Sequence, residues 1–519
     1  MRKLLLLIVL VFSFAVNAQT VLYGQSGFPV TLDTPQDGNS LTVGYQILEP
    51  LLAFVQGSAE LKAGLATSWE ANEDASAWIF HIREGVMFHD GTPLNAEAVK
   101  FNFDRWNHRD NPYAYADEGK TFTSWTYIFN SYYGEEGYVL ESVDVVDEYS
   151  VRLNLTQPIG FLPAMVASSY FGIHSPTAVM AGGVEYGTPA QGVVGTGPFK
   201  FAEWVDGERV ALERNDDYWG DKAQVERLIF RGIESAATRL AELEAGTLDI
   251  AVNLSPEDYD TVASSSDLNI ATAPADLRIG YLGLHQANKP FDDLRVRQAF
   301  AYAIDKEAIV EAFYGDLGAV AGEFVPPTLP GRAELAAYEY DPEKAKTLLA
   351  DAGYADGFDT EFWYMPVSRP YYPNPKDIAE AVASYLADVG IRVILQTEDW
   401  GIYLDDYSTG KFPIYMLGWS ADFADPDNFI SPFFGASNIA AFGWDSPSTL
   451  ELIDAARSAG SMTERELYYR QIAQQIYDDM PALPLVNPRT LNATRAGVDG
   501  FYPSPLGSVV SLASVTKAE

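Results

Sequence analysis

The chain has 519 residues, 47% of them hydrophobic, with 34 basic and 72 acidic side chains, a formal net charge of −38 and no cysteine. That acidity makes nucleic acid and anionic membrane surfaces poor partners, and the missing thiols exclude disulfides, a lipid anchor on cysteine and a cysteine nucleophile. The length exceeds what one hydrophobic core holds, so two or more lobes are expected.

In chain order, the first element is a targeting segment. Arg2 and Lys3 precede an apolar stretch from Leu4 to Val16, and Val16-Asn17-Ala18 supplies small residues for cleavage near Ala18. The stretch is short for a span, and the rest of the chain has no 18-residue apolar run. Export to a periplasm is the expectation. From Ala63 the pattern is that of small sheets. Trp78, Phe80 and Ile82 alternate with other positions, and Gly85 and Asp90-Gly91 supply turns. Asn95 can cap a helix whose Val99, Phe103 and Trp106 share a face. Val151, Leu153 and Leu155 form another alternating run. Gly192 to Gly197 reads as a loop before a sheet segment over 199–213.

Past Arg278 helices and strands alternate. Val296, Phe300 and Ala303 share one helical face. Asp341-Pro342-Glu343 starts a helix with a cap, a proline at the first position and an acid in the first turn. Ile378, Val382, Tyr385 and Val389 make a stripe that Gly390 ends; Ile391 to Leu395 and Ile414 to Leu417 are expected as buried strands. A last helix near Glu464 to Asp479 precedes Pro481 to Val486, a crossing back toward the first lobe. These units describe an α/β lobe, whose ligands sit where strands end.

Two segments carry the chemistry. Pro366 to Pro375 offers Arg369 beside Tyr371 and Tyr372 in a proline-stiffened loop, and Gly418 to Phe429 offers Asp422 just after Trp419. Arg forks onto a carboxylate and Asp accepts from an ammonium, so the pair suits a small zwitterion held by both ends. The simpler readings are an Asp that caps a turn, an Arg paired with a surface acid and aromatics that belong to the core. Asp425 and Asp427 read as a solvated turn, since no EF-hand spacing follows.

Leu61 to Glu70, Trp78 to Gly91, Gly195 to Phe199, Asn215 to Trp219 and Phe291 to Asp305 closely resemble, block by block, the family 5 extracellular solute-binding proteins of ABC importers. That family takes in peptide- and nickel-binding receptors, and the two segments above look most like its dipeptide-binding branch. The resemblance implies a two-lobed periplasmic-binding-protein-like α/β fold (type II, cluster C) with an extra subdomain. Lobe I would span 19–280 with the subdomain at about 50–189, lobe II 281–481, and the chain would return to lobe I over 482–519. It implies Arg369 as the carboxylate holder and Asp422 as the ammonium holder, with Tyr371 and Trp419 as pocket walls. Strand backbone near Gly418 would meet the ligand amide. It also implies a monomer that gives a short peptide to a membrane permease. The branch carries a cysteine pair that this chain lacks.

Metal cargo has little support from five histidines, His81, His89, His108, His174 and His285, none in H-E-x-x-H spacing. No Gly-x-Ser-x-Gly elbow or Walker loop is present, so no cofactor, metal or catalytic residue is expected. A receptor for oligosaccharides or longer peptides, using some of the 10 Trp and 30 Tyr, is the nearest alternative. A secreted glycan hydrolase is the alternative from another class.

Overall fold

The computed structural model describes residues 20–518, so the targeting segment expected at 1–18 lies outside them. Among the described residues, a seven-stranded sheet forms the base of the first lobe. Its order is Leu268–Ala271, Leu491–Arg495, Ile250–Leu254, Thr20–Gln25, Arg227–Gly232, Arg209–Arg214, Phe199–Val205. Thr20–Gln25 runs parallel to both of its neighbours, which brings the carboxyl ends of the three strands to one edge.

A four-stranded antiparallel sheet rises from this lobe, in the order Ala66–Ala71, Ala77–Ile82, Ser150–Leu155, Leu140–Asp147. The expected alternation holds: Trp78, Phe80, Ile82, Val151, Leu153 and Leu155 are all buried. The helix Ala96–Asn107 covers the sheet with Val99, Phe103 and Trp106, and the Asn95 side chain accepts from the Ala98 N–H at 3.0 Å.

The second lobe is built on a six-stranded mixed sheet: Gly318–Val320, Ala482–Pro488, Arg278–Leu284, Ile414–Ser420, Phe358–Trp363, Ile391–Gln396. Asp341 caps Pro342–Asp351, accepting from Lys344 N–H at 2.9 Å. Gly390 takes a φ of +91° after Pro375–Asp388, a conformation that costs glycine little. One expectation fails. Ile391–Gln396 is the sheet's edge, with Ile394 exposed, because the strand pairs with Phe358–Trp363 alone. An apolar run does not distinguish an edge strand from a central one.

The chain enters this sheet at Arg278 and leaves it at Pro488, crossing from and back to the seven-stranded sheet. The Asp276 carboxylate ties the two crossings, accepting from Arg278 at 2.7 Å, Thr490 N–H at 2.9 Å and Thr490 hydroxyl at 2.6 Å. The Asn487 side-chain amide N–H adds a hydrogen bond to the Arg278 carbonyl at 2.9 Å. These bonds hold the two crossings between the lobes side by side. The buried side chains of the four-stranded subdomain and of the second lobe form one contiguous cluster, whereas those of the seven-stranded sheet fall in two others.

Candidate functional site

The Ile414–Ser420 strand is buried over its first five residues and pairs with Arg278–Leu284 along its whole length. On its other edge it meets Phe358–Trp363 at a single register, Trp363 opposite Tyr415. Past that point one edge, at Gly418 and Trp419, has no strand partner among the described residues. Trp419 is half-buried. Its indole N–H donates to Asn428 Oδ1 at 3.0 Å, and its ring meets Phe433 edge-on at 5.6 Å. The N–H of Asp422 donates to the same Asn428 oxygen at 2.9 Å. One buried amide, at the start of the Asp427–Phe434 helix, therefore fixes both predicted residues.

Burial pushes the Asp422 carboxyl up to about 6, against a smaller lowering by a hydrogen bond from Asn428. Among the described residues no cation lies within ion-pair distance of it. Tyr170 of the first lobe lies within electrostatic reach of Asp422. Its phenol is pushed up to about 12, by burial first and by the negative Asp422 second.

The proline-rich loop closes on itself: Arg369 N–H donates to Tyr372 O at 3.0 Å and Tyr372 N–H to Arg369 O at 2.9 Å. Tyr372 is a core residue, fully buried, with its hydroxyl on the Tyr281 carbonyl at 3.0 Å. Tyr371 is also buried. A Cβ added at Gly418 would lie 2.3 Å from Tyr371 Cδ2, so glycine is what lets the ring lie on the strand. Burial pushes the Tyr371 phenol up to about 12, against the lowering effect of Arg369. Arg369 itself is exposed, 5.2 Å over the Trp400 ring, and among the described residues it has no carboxylate partner. Contacts thus link Tyr371 to Gly418 and, through Asn428, Trp419 to Asp422, while the Arg369 side chain lies over Trp400.

The solvated turn expected at Asp425 and Asp427 is not found. Both are buried, at 1% and 4% exposure, because Arg465 of the Met462–Asp479 helix forks onto Asp425, with one arm at 2.7 Å, and Ser431 donates to Asp427 at 2.6 Å. A partner 40 residues away was invisible to local pattern reading. Sequence reasoning also missed Asn428, Tyr170 and Trp400. It missed a polar hollow in the first lobe too, where Gln25, Asn39, Asn253 and Asn492 gather at the carboxyl ends of the parallel strands beside Arg278. Asn253 holds a φ of +54° there. Among the described residues no cluster of His, Asp or Glu suits a metal ion.

The chain thus forms two lobes joined by two adjacent, hydrogen-bonded crossings, with Asp422 and Arg369 of the second lobe lacking ion-pair partners among the described residues. Residues 60–441 match the family model for bacterial extracellular solute-binding proteins, family 5, and the chain belongs to that family. It is 32% identical to the dipeptide-binding protein of Escherichia coli, over 96% of this chain and 95% of that one. It is 33% identical to heme-binding protein A of Haemophilus influenzae, over 89% and 85%. The crystal structure of the dipeptide binding protein of Pseudoalteromonas sp. SM9913 in complex with Met-Leu is similar, at 28% identity and a TM-score of 0.72, covering 96% of this chain and all of that one.

Proposed function

We propose that the protein is the periplasmic capture component of an ABC importer and holds a short peptide between its lobes. Asp422 takes the ammonium, Arg369 the carboxylate, and the free edge of the strand at Gly418 the peptide amide. Trp419 and Tyr371 wall the site. The reading rests above all on the Asp422 carboxyl, which is half-buried, has no cation within ion-pair distance among the described residues and acts electrostatically on Tyr170 of the first lobe. A half-buried carboxylate without a cation is costly to ionise, and a ligand cation offsets that cost. The exposed, unpaired Arg369 of the same lobe supports the other end. The dipeptide-binding names of the relatives point the same way.

Each charge-assisted bond contributes about 1.5–3 kcal/mol, more firmly once closure excludes water. The ligand is released unchanged to a membrane permease, and no chemistry is done on it. Calorimetry with a free dipeptide, its N-acetyl form and its C-terminal amide tests the assignment. Asp422→Ala should weaken the free dipeptide tenfold or more, and wild type should bind the acetylated form poorly. Arg369→Ala should penalise free carboxylates more than amides. Equal affinity of wild type for free and acetylated ligands rejects the reading, as does a saturable fit to haem with none to peptides.

A further inference from the structure

The second lobe touches the four-stranded subdomain through an aromatic joint one residue from Asp422. Phe161 of the subdomain lies parallel to Phe423, with ring centroids 5.4 Å apart and 1° between planes. The guanidinium groups of Arg457 and Arg465 stand 5.4 and 5.5 Å over the Phe161 ring. Cations and a parallel ring on one phenyl group make a contact stronger than its area alone.

Backbone contacts lock this joint. Gly160 N–H donates to the Arg457 carbonyl at 2.6 Å, and Arg465 reaches the Gly160 carbonyl at 3.4 Å. A Cβ at Gly160 would lie 2.1 Å from the Ala459 carbonyl oxygen, so the approach requires glycine. The subdomain side is held rigidly, since the Trp78 indole donates to the Ile159 carbonyl at 3.0 Å. On the other side Arg465 also forks onto Asp425, three residues after Asp422.

We infer that Phe161 is a positioning residue: by gripping Phe423 it fixes the loop that presents the Asp422 carboxylate. This rests on Asp422 holding the ligand's ammonium, but the joint itself is independent of that reading. Phe161→Ala removes the ring, Phe161→Leu keeps apolar bulk, and Gly160→Ala forces the two backbones apart.

Hydrogen exchange over residues 421–428 of the ligand-free protein reads the loop directly. Phe161→Ala and Gly160→Ala should exchange there about tenfold faster than wild type, with Phe161→Leu between them. In calorimetry, Phe161→Ala should lose most of the preference for a free over an N-acetylated dipeptide, with acetylated binding unchanged within about twofold. Unchanged exchange in the two alanine variants overturns the inference. Faster exchange with equal loss of both ligands also overturns it, because the joint then serves closure alone. If wild type shows no preference between the ligands, the peptide reading fails and the exchange result still decides the joint.

Discussion

At the scale of single residues, Asp422 sets a pH dependence. Its free-state carboxyl is held at about 6 by burial, and an ammonium binds only the ionised form. Dipeptide affinity should therefore be flat above about pH 7 and fall as pH drops through 6, approaching tenfold per unit; titration calorimetry at several pH values measures it. The same shift has the opposite effect on the empty protein. A carboxyl raised above its unfolded value contributes stability that is fully present below about 3.9 and lost as pH rises through 6. Asp422→Asn should thus abolish ammonium recognition yet raise the ligand-free stability at pH 7 by about 1–3 kcal/mol. A lower melting temperature for the empty variant would contradict this. Binding sites commonly hold such unsatisfied charge at the expense of stability.

Lys306 belongs to the scale of the element. It begins the Lys306–Tyr314 helix, where a cation opposes the helix dipole, and it is 4% exposed. Phe324, Ile430, Ile476 and Leu483 line the space around it, and Glu323 there already takes Arg332 at 3.0 Å. Burial pushes the Lys306 amine down to about 8. A lysine lowered in the folded state costs stability in full below pH 8, and the cost fades as pH rises toward its unfolded value near 10.4. Lys306→Met should stabilise the protein by about 1–3 kcal/mol at pH 7 and by much less near pH 10. Denaturant titrations at the two pH values check both halves.

For the whole molecule, the excess of 72 acidic over 34 basic side chains governs behaviour. Several ion pairs at the surface, such as Arg392 with Asp359 and Lys376 with Glu380, are exposed and contribute little. Self-repulsion is then the dominant long-range effect. Raising sodium chloride from 10 to 200 mM, which shortens the screening length below that of most surface separations, should raise the melting temperature. A fall would mean that attractive pairs dominate instead. Asp276, buried and bonded across both crossings, holds the two strands that join the lobes in register.

Periodicity, caps and turn residues determined the individual elements, because the forces that select them act within a few residues. The alternation at Trp78, Phe80 and Ile82, the Asp341 cap and the Gly390 stop were all legible for that reason. So were Arg369 and Asp422 as charges of opposite sign in stiff loops, although whether they had partners was not. Only tertiary structure decided that Asp425 is buried on Arg465, that Ile391–Gln396 is an edge strand, and that Tyr372 is core while Arg369 is open to solvent. Desolvation and pairing depend on segments tens to hundreds of residues away, and no local pattern carries them.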